Sequence, residues 1–72
     1  MSYVLVKEGF YRNQTIKDTV FPLVSDLKKG KSGMFVTVNG SNGFGMEKIR
    51  VRVDNALQLE MVDASAYDAQ AG

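Results

Sequence analysis

From Lys48 to Val53 the chain reads Lys-Ile-Arg-Val-Arg-Val, a strict alternation of cation and branched apolar residue. Side chains along a strand point to opposite faces in turn, so this pattern fits a strand with one face buried and the other in water. The same period of two runs through Met34-Phe35-Val36-Thr37-Val38. Val, Ile, Thr, Phe and Tyr dominate the apolar positions, with Gly, Asn and Asp between them, and no segment keeps a helical period over ten or more residues. The pattern predicts five short strands, at about 3–8, 14–21, 33–39, 44–53 and 56–62.

Turn chemistry suggests how the last three strands pair. Asn-Gly suits a two-residue hairpin turn because both central positions need positive φ. Centred on Asn42-Gly43, such a turn sets Ser41 opposite Phe44, Val38 opposite Glu47, Val36 opposite Ile49 and Met34 opposite Val51. Centred on Asn39-Gly40 it sets Val36 against Gly43 and loses the apolar match, so Asn42-Gly43 is preferred. A three-residue loop, Asp54-Asn55-Ala56, then pairs Val53 with Leu57, Val51 with Leu59 and Ile49 with Met61, and on the other face Arg52 with Gln58 and Arg50 with Glu60.

The expected core face holds Met34, Val36, Val38, Ile49, Val51, Val53, Leu57, Leu59 and Met61. A three-stranded meander with one apolar face needs a cover, and Val4, Val6, Ile16, Val20 and Phe21 of the first two strands supply it. The expected fold is therefore all-β, a small five-stranded barrel or orthogonal sandwich over residues 1–62, Src-homology-3-like in geometry, with a C-terminal three-stranded meander. Pro22 is expected to end the second strand or to lie at an exposed edge. Ser25–Gly30 reads as one helical turn or a plain loop, and Glu8–Gln14 as the loop between the first two strands. Residues 63–72, Asp-Ala-Ser-Ala-Tyr-Asp-Ala-Gln-Ala-Gly, lose all alternation and read as an acidic, flexible tail.

Composition narrows the chemistry. The 72 residues include neither cysteine nor histidine, which excludes disulfides, Cys/His zinc sites and His-dependent triads or dyads. The carboxylates occur singly along the chain, so no enzymatic activity, cofactor or metal is expected. No apolar run approaches the roughly 18–20 residues of a membrane span, and the start lacks the pattern of a secretory signal. The expected location is the cytoplasm of the producing cell or its host, with no membrane partner. Residues 1–52 carry all nine Lys and Arg against four acids, and residues 53–72 carry the other four acids and no base. This split fits either an anion-facing body with an acidic tail or internal charge balance.

Three local motifs bear on function. Lys28-Lys29-Gly30-Lys31-Ser32-Gly33 matches the end of a phosphate-binding P-loop, but the first glycine falls on Ser25 and a strand follows where a helix must start. Gly43-Phe44-Gly45 resembles the Gly-aromatic-Gly strand of RNA-recognition motifs and cold-shock domains over those three residues only. The outer face predicted by the hairpin carries Lys48, Arg50 and Arg52 in a ladder, with Phe44 and Phe35 beside it. Cations suit phosphates and aromatic rings suit bases, with Lys28, Lys29 and Lys31 assisting. The alternative is a solvated face in which Arg50 is locked between Phe35 and Glu60.

Tyr3–Leu23 ("YVLVKEGFYRNQTIKDTVFPL"), a basic Gly-containing loop and the Gly-Met-Phe-Val-Thr-Val strand together resemble small phage-encoded Src-homology-3-like proteins. Lys17-Asp18 stands where those proteins carry Gly-Asp. The resemblance covers the first half of the chain and implies a compact viral accessory or structural protein. Two functions follow as expectations. One is binding of nucleic acid or a phosphorylated nucleotide through Lys48, Arg50, Arg52, Phe44, Phe35, Lys28, Lys29 and Lys31. The other is a protein-interaction or self-associating module making contact through Phe10, Tyr11 and Arg12, with a protein partner or a second copy.

Overall fold

The computed structural model describes residues 1–41 and 45–71. Its strands are β1 (Tyr3–Tyr11), β2 (Gln14–Gly30), β3 (Gly33–Ser41), β4 (Met46–Val53) and β5 (Leu59–Val62), followed by helix α1 (Ala64–Ala71). They form one antiparallel sheet in the order β2-β3-β4-β1-β5, and β2 also pairs with β1, so the sheet closes partly into a small barrel. The all-β, five-stranded barrel-like fold is the one the alternation calls for. No described helix is long and apolar enough to cross a membrane.

Closure depends on β2, which is twice the expected length. Its first half pairs with β1, from Tyr11↔Gln14 to Tyr3↔Pro22, and its second half with β3, from Leu23↔Val38 to Gly30↔Gly33. Pro22 neither ends the strand nor lies exposed. It is buried where β2 passes from one partner to the other, a place where a missing N–H breaks no ladder, and the next donor, Leu23 N–H, bonds to Ser2 O at 2.8 Å. Register shifts on either side of Ser25 bend the strand there. The segment 25–30 is thus strand rather than loop or helical turn, and Leu27 packs on the core while Asp26 and Lys28 face water. Likewise the segment 8–14 is mostly strand, with only Arg12-Asn13 left as a loop.

The β3–β4 register lies two residues from the expected one. Val38 faces Ile49, Val36 faces Val51, Met34 faces Val53, and the ladder ends at Ser41↔Met46. The expected Asn42-Gly43 turn lies outside the described residues. A slip of two keeps every side chain on its face. It also replaces the Val38–Glu47 pair with apolar matches, and Glu47 now opposes Gly40.

The core cluster is Val4, Val6, Val36, Val38, Ile49, Val51 and Val53, with Tyr11, Ile16, Phe21, Leu23, Leu27, Met34 and Leu59 packed around it. Among the described residues no polar or charged one is buried, so apolar area carries the stability. Gly9 permits the closure, because a Cβ there would lie 2.6 Å from Val51 Cγ1 and 3.1 Å from the Arg52 carbonyl oxygen. No other residue type admits so close a crossing of β1 over β4.

The last strand departs from the expected meander. After β4 the chain makes a 3-10 turn at Ala56–Gln58, capped by the Asn55 side chain, which accepts from Leu57 N–H at 2.9 Å. β5 then pairs with β1, through Val6↔Leu59, Leu5↔Glu60, Val4↔Met61 and Tyr3↔Val62, and not with β4. The Asp54-Asn55-Ala56 hairpin loop is therefore replaced. Leu59 reaches the core from the new position, whereas Leu57 and Met61, both expected in the core, are 80% and 58% exposed.

The expected flexible tail is instead helical over Ala64–Ala71. Asp63 begins α1 by accepting from the Ser65 hydroxyl on its carboxylate and from the Ala66 N–H on its main-chain oxygen at 3.2 Å. The Ser65 bond, with the Ala66 N–H close by, holds its carboxyl below the usual aspartate value. Tyr67 packs on Tyr3, with ring centroids 5.3 Å apart. Gln70 accepts from Val20 N–H and donates to Val20 O. The helix thus covers the outer sheet face shared by Tyr3, Leu5, Val20 and Pro22, which is why Val20 is buried yet outside the core cluster.

Candidate basic and aromatic cleft

The C-terminal half of β2 and the start of β3 form a hairpin closed by Lys31-Ser32. Because Lys28 is the cross-strand partner of Phe35, their side chains share the outer face of the sheet. On the far side of β3, Thr37 faces Arg50 of β4. These residues enclose a cleft of about 330 Å³, with Lys28, Lys29, Lys31 and Arg50 around it and Phe35 and Thr37 in its wall. Gly30 and Ser32 complete the lining at the hairpin tip.

The charge in this cleft is all of one sign. Four cations line it and no carboxylate does. Among the described residues the one side-chain ion pair is Lys17–Glu8, at 3.7 Å and on another part of the surface. Glu60, expected beside Arg50, pairs with Leu5 across β1 instead, so the acid that would have compensated the ladder is absent from it. Like charges gathered in a concave, partly apolar surface raise the local anion concentration.

Arg50 lies over Phe35, its guanidinium carbon 5.6 Å from the ring centroid, so the expected contact between them is present without its acidic partner. The pairing is diagonal, since Phe35 faces Arg52 directly. Arg52 lies over Phe10 at 4.9 Å and is also the residue through which β4 meets β1.

The face-switch that places Phe10 there is local. Val4 and Val6 point inward, but from Glu8 onward the inward residues of β1 are Gly9 and Tyr11. Between them Lys7 and Asp18 form no ladder pair, and Asp18 has φ +47. That kink rotates the rest of the hairpin by one residue and turns Phe10 outward.

The remaining sequence candidates fall as follows. Lys48 is exposed on β4 beside Asn39, away from the cleft. Phe44 lies outside the described residues. Phe10 and Tyr11 are both half-buried, and each has an arginine over its ring, Arg12 standing 5.3 Å from the centroid of Tyr11. Of the three contact candidates, the two aromatic rings are therefore partly covered within the chain itself, while Arg12 is exposed.

Sequence reasoning did not assign Thr37 or Ser32 to the site. Thr37 was on the predicted outer face next to Phe35. The missing information was that β2 runs on past Pro22 and folds its lysines against that face. Compared with family models, curated proteins and solved structures, the chain matches none.

Proposed function

We propose that this protein binds a phosphate-bearing anion, a nucleic acid or a phosphorylated nucleotide, without chemically transforming it. The observation that carries this reading is the cleft itself. It gathers Lys28, Lys29, Lys31 and Arg50 around the Phe35 ring with no carboxylate in the lining. Cations complement phosphate oxygens, Ser32 and Thr37 offer hydroxyl donors, and the ring with its arginine offers a planar surface for a base.

The cleft can be tested by titrating a labelled oligonucleotide at two salt concentrations. Binding is expected to weaken steeply with salt, and each cation changed to serine lowers the slope of log K against log salt by about one. Absence of binding at low salt would overturn the reading.

The finer description of the barrel as Src-homology-3-like, and as a phage-encoded accessory protein working in the cytoplasm, belongs to the same proposal. It is supported by the partly closed five-stranded ring and by the resemblance over the first two strands. A second reading, a protein-contact or self-association surface, is favoured by one observation. Leu57 and Met61 are exposed next to and within β5, the outermost strand of the sheet order. A molar mass by light scattering that rises with protein concentration would support it.

A further inference from the structure

Four strands contribute side chains to one continuous outer row. Lys28 of β2 pairs with Phe35 of β3, Phe35 with Arg52 of β4, and Arg52 with Phe10 of β1. Lys28 and Arg52 are exposed, and the two phenylalanines are half-buried. The row begins in the basic cleft and leaves it, since neither Arg52 nor Phe10 lines the cleft. It therefore offers two arginine-covered rings, Phe35 with Arg50 inside the cleft and Phe10 with Arg52 beyond it.

We infer that the ligand is a single-stranded nucleic acid that crosses the strands along this row, rather than a mononucleotide held in the cleft alone. The inference rests on the phosphate-binding reading given above and extends it. A mononucleotide has one base and can use one ring. The second ring, flanked by a second cation outside the cleft, is what a longer strand would use.

From Phe10 to Lys28 the row covers three strand spacings, roughly 14 Å. A stacked strand advancing about 3.4 Å per nucleotide places about four nucleotides along it. A duplex keeps its base faces stacked inside, so only an unpaired strand can present them to Phe10 and Phe35. A base would enter by taking the place of the guanidinium on the ring, and the displaced arginine would turn to a neighbouring phosphate.

The test uses the whole chain and fluorescence anisotropy, with thymidine triphosphate, oligothymidylates from dimer to octamer, and inorganic polyphosphate as probes. Affinity is expected to rise with length up to about the tetramer and then level off. Phe10→Ala is expected to lose at least about fivefold on the tetramer, the effect of one lost stacking contact, and Arg52→Lys to lose less, because only the forked contact to phosphate goes. Both are expected to keep their affinity for the triphosphate, which reads the cleft. Arg52→Lys retains the charge, and circular dichroism establishes that each variant is folded.

Triphosphate binding as tight as octamer binding, with the tetramer affinity of Phe10→Ala unchanged, would overturn the path and leave the cleft standing. Polyphosphate matching the oligonucleotides would overturn base stacking. No binding of any probe at low salt would overturn the phosphate-binding reading, and this inference with it.

Discussion

Gln70 engages the main chain of Val20 with both ends of its amide, accepting from the N–H and donating to the carbonyl, as a neighbouring strand would. It thereby covers the edge of β2 at the point where β2 is about to leave β1 for β3. An eight-residue helix has little stability of its own, so α1 is held by this contact, by the Tyr3–Tyr67 packing and by its cap. Gln70→Ala is expected to cost about 1 kcal/mol, close to the net value of a typical hydrogen bond and less than two because water can replace the amide. Amide exchange in α1 would quicken well before exchange in β3 and β4. Uniform exchange rates in the variant and the parent would refute the contact.

Closure of the barrel at Gly9 leads to a stronger effect. A methyl group there would meet Val51 Cγ1 at 2.6 Å and Val6 Cγ1 at 3.0 Å, both in the core. Gly9→Ala is therefore expected to destabilise the fold by about 1–3 kcal/mol through overpacking, measured by urea denaturation.

Asp18 holds a left-handed backbone conformation at the face switch in the first hairpin. Asp18→Gly removes the steric conflict and should raise stability by up to about 1 kcal/mol, whereas Asp18→Val should lower it by about 1–2 kcal/mol. A thermal melt of the two variants separates these opposite signs.

The cap of α1 is sensitive to acid. Hydrogen bonds from Ser65 and Ala66 lower the Asp63 carboxyl pKa in the folded protein. A depressed carboxylate stabilises the folded state above the ordinary aspartate pKa of 3.8, and the contribution is lost as pH falls through the lower folded value. The helical signal of α1 should therefore weaken in strong acid, and Asp63→Asn should show less of that dependence. An NMR titration of the Ala66 amide would record it.

Glu60 provides a test of topology through binding. Because it pairs with Leu5 and not beside Arg50, Glu60→Gln should leave anion affinity at physiological salt within about twofold of the parent. A large gain would mean that the carboxylate does compensate the cleft.

Several of these features could be read from the residues alone. The alternation in Lys48–Val53 and Met34–Val38 identified two strands, their buried valines and the outward direction of Phe35, Arg50 and Arg52. The Asn42-Gly43 turn put the expected β3–β4 register two residues from the observed one, because an even slip preserves every face and only pair-by-pair matching discriminates. The last strand was assigned to the wrong neighbour for a related reason. Pairing Leu59 with Val51 or with Val6 gives the same apolar match, and the choice depends on where the edge of β1 lies in space.

The local pattern by itself determined the all-β character, the core face and the cationic outer face, because those depend on side-chain direction within a single strand. Only the tertiary structure decided that Lys28, Lys29 and Lys31 meet Arg50 and Phe35 around one cleft, and that Phe10 joins Arg52 in the same row. Those contacts require β2 to continue beyond Pro22 and the sheet to close through Gly9. Both events bring together residues far apart in the chain, and the apolar burial that drives them is non-directional, so no short stretch of sequence encodes them.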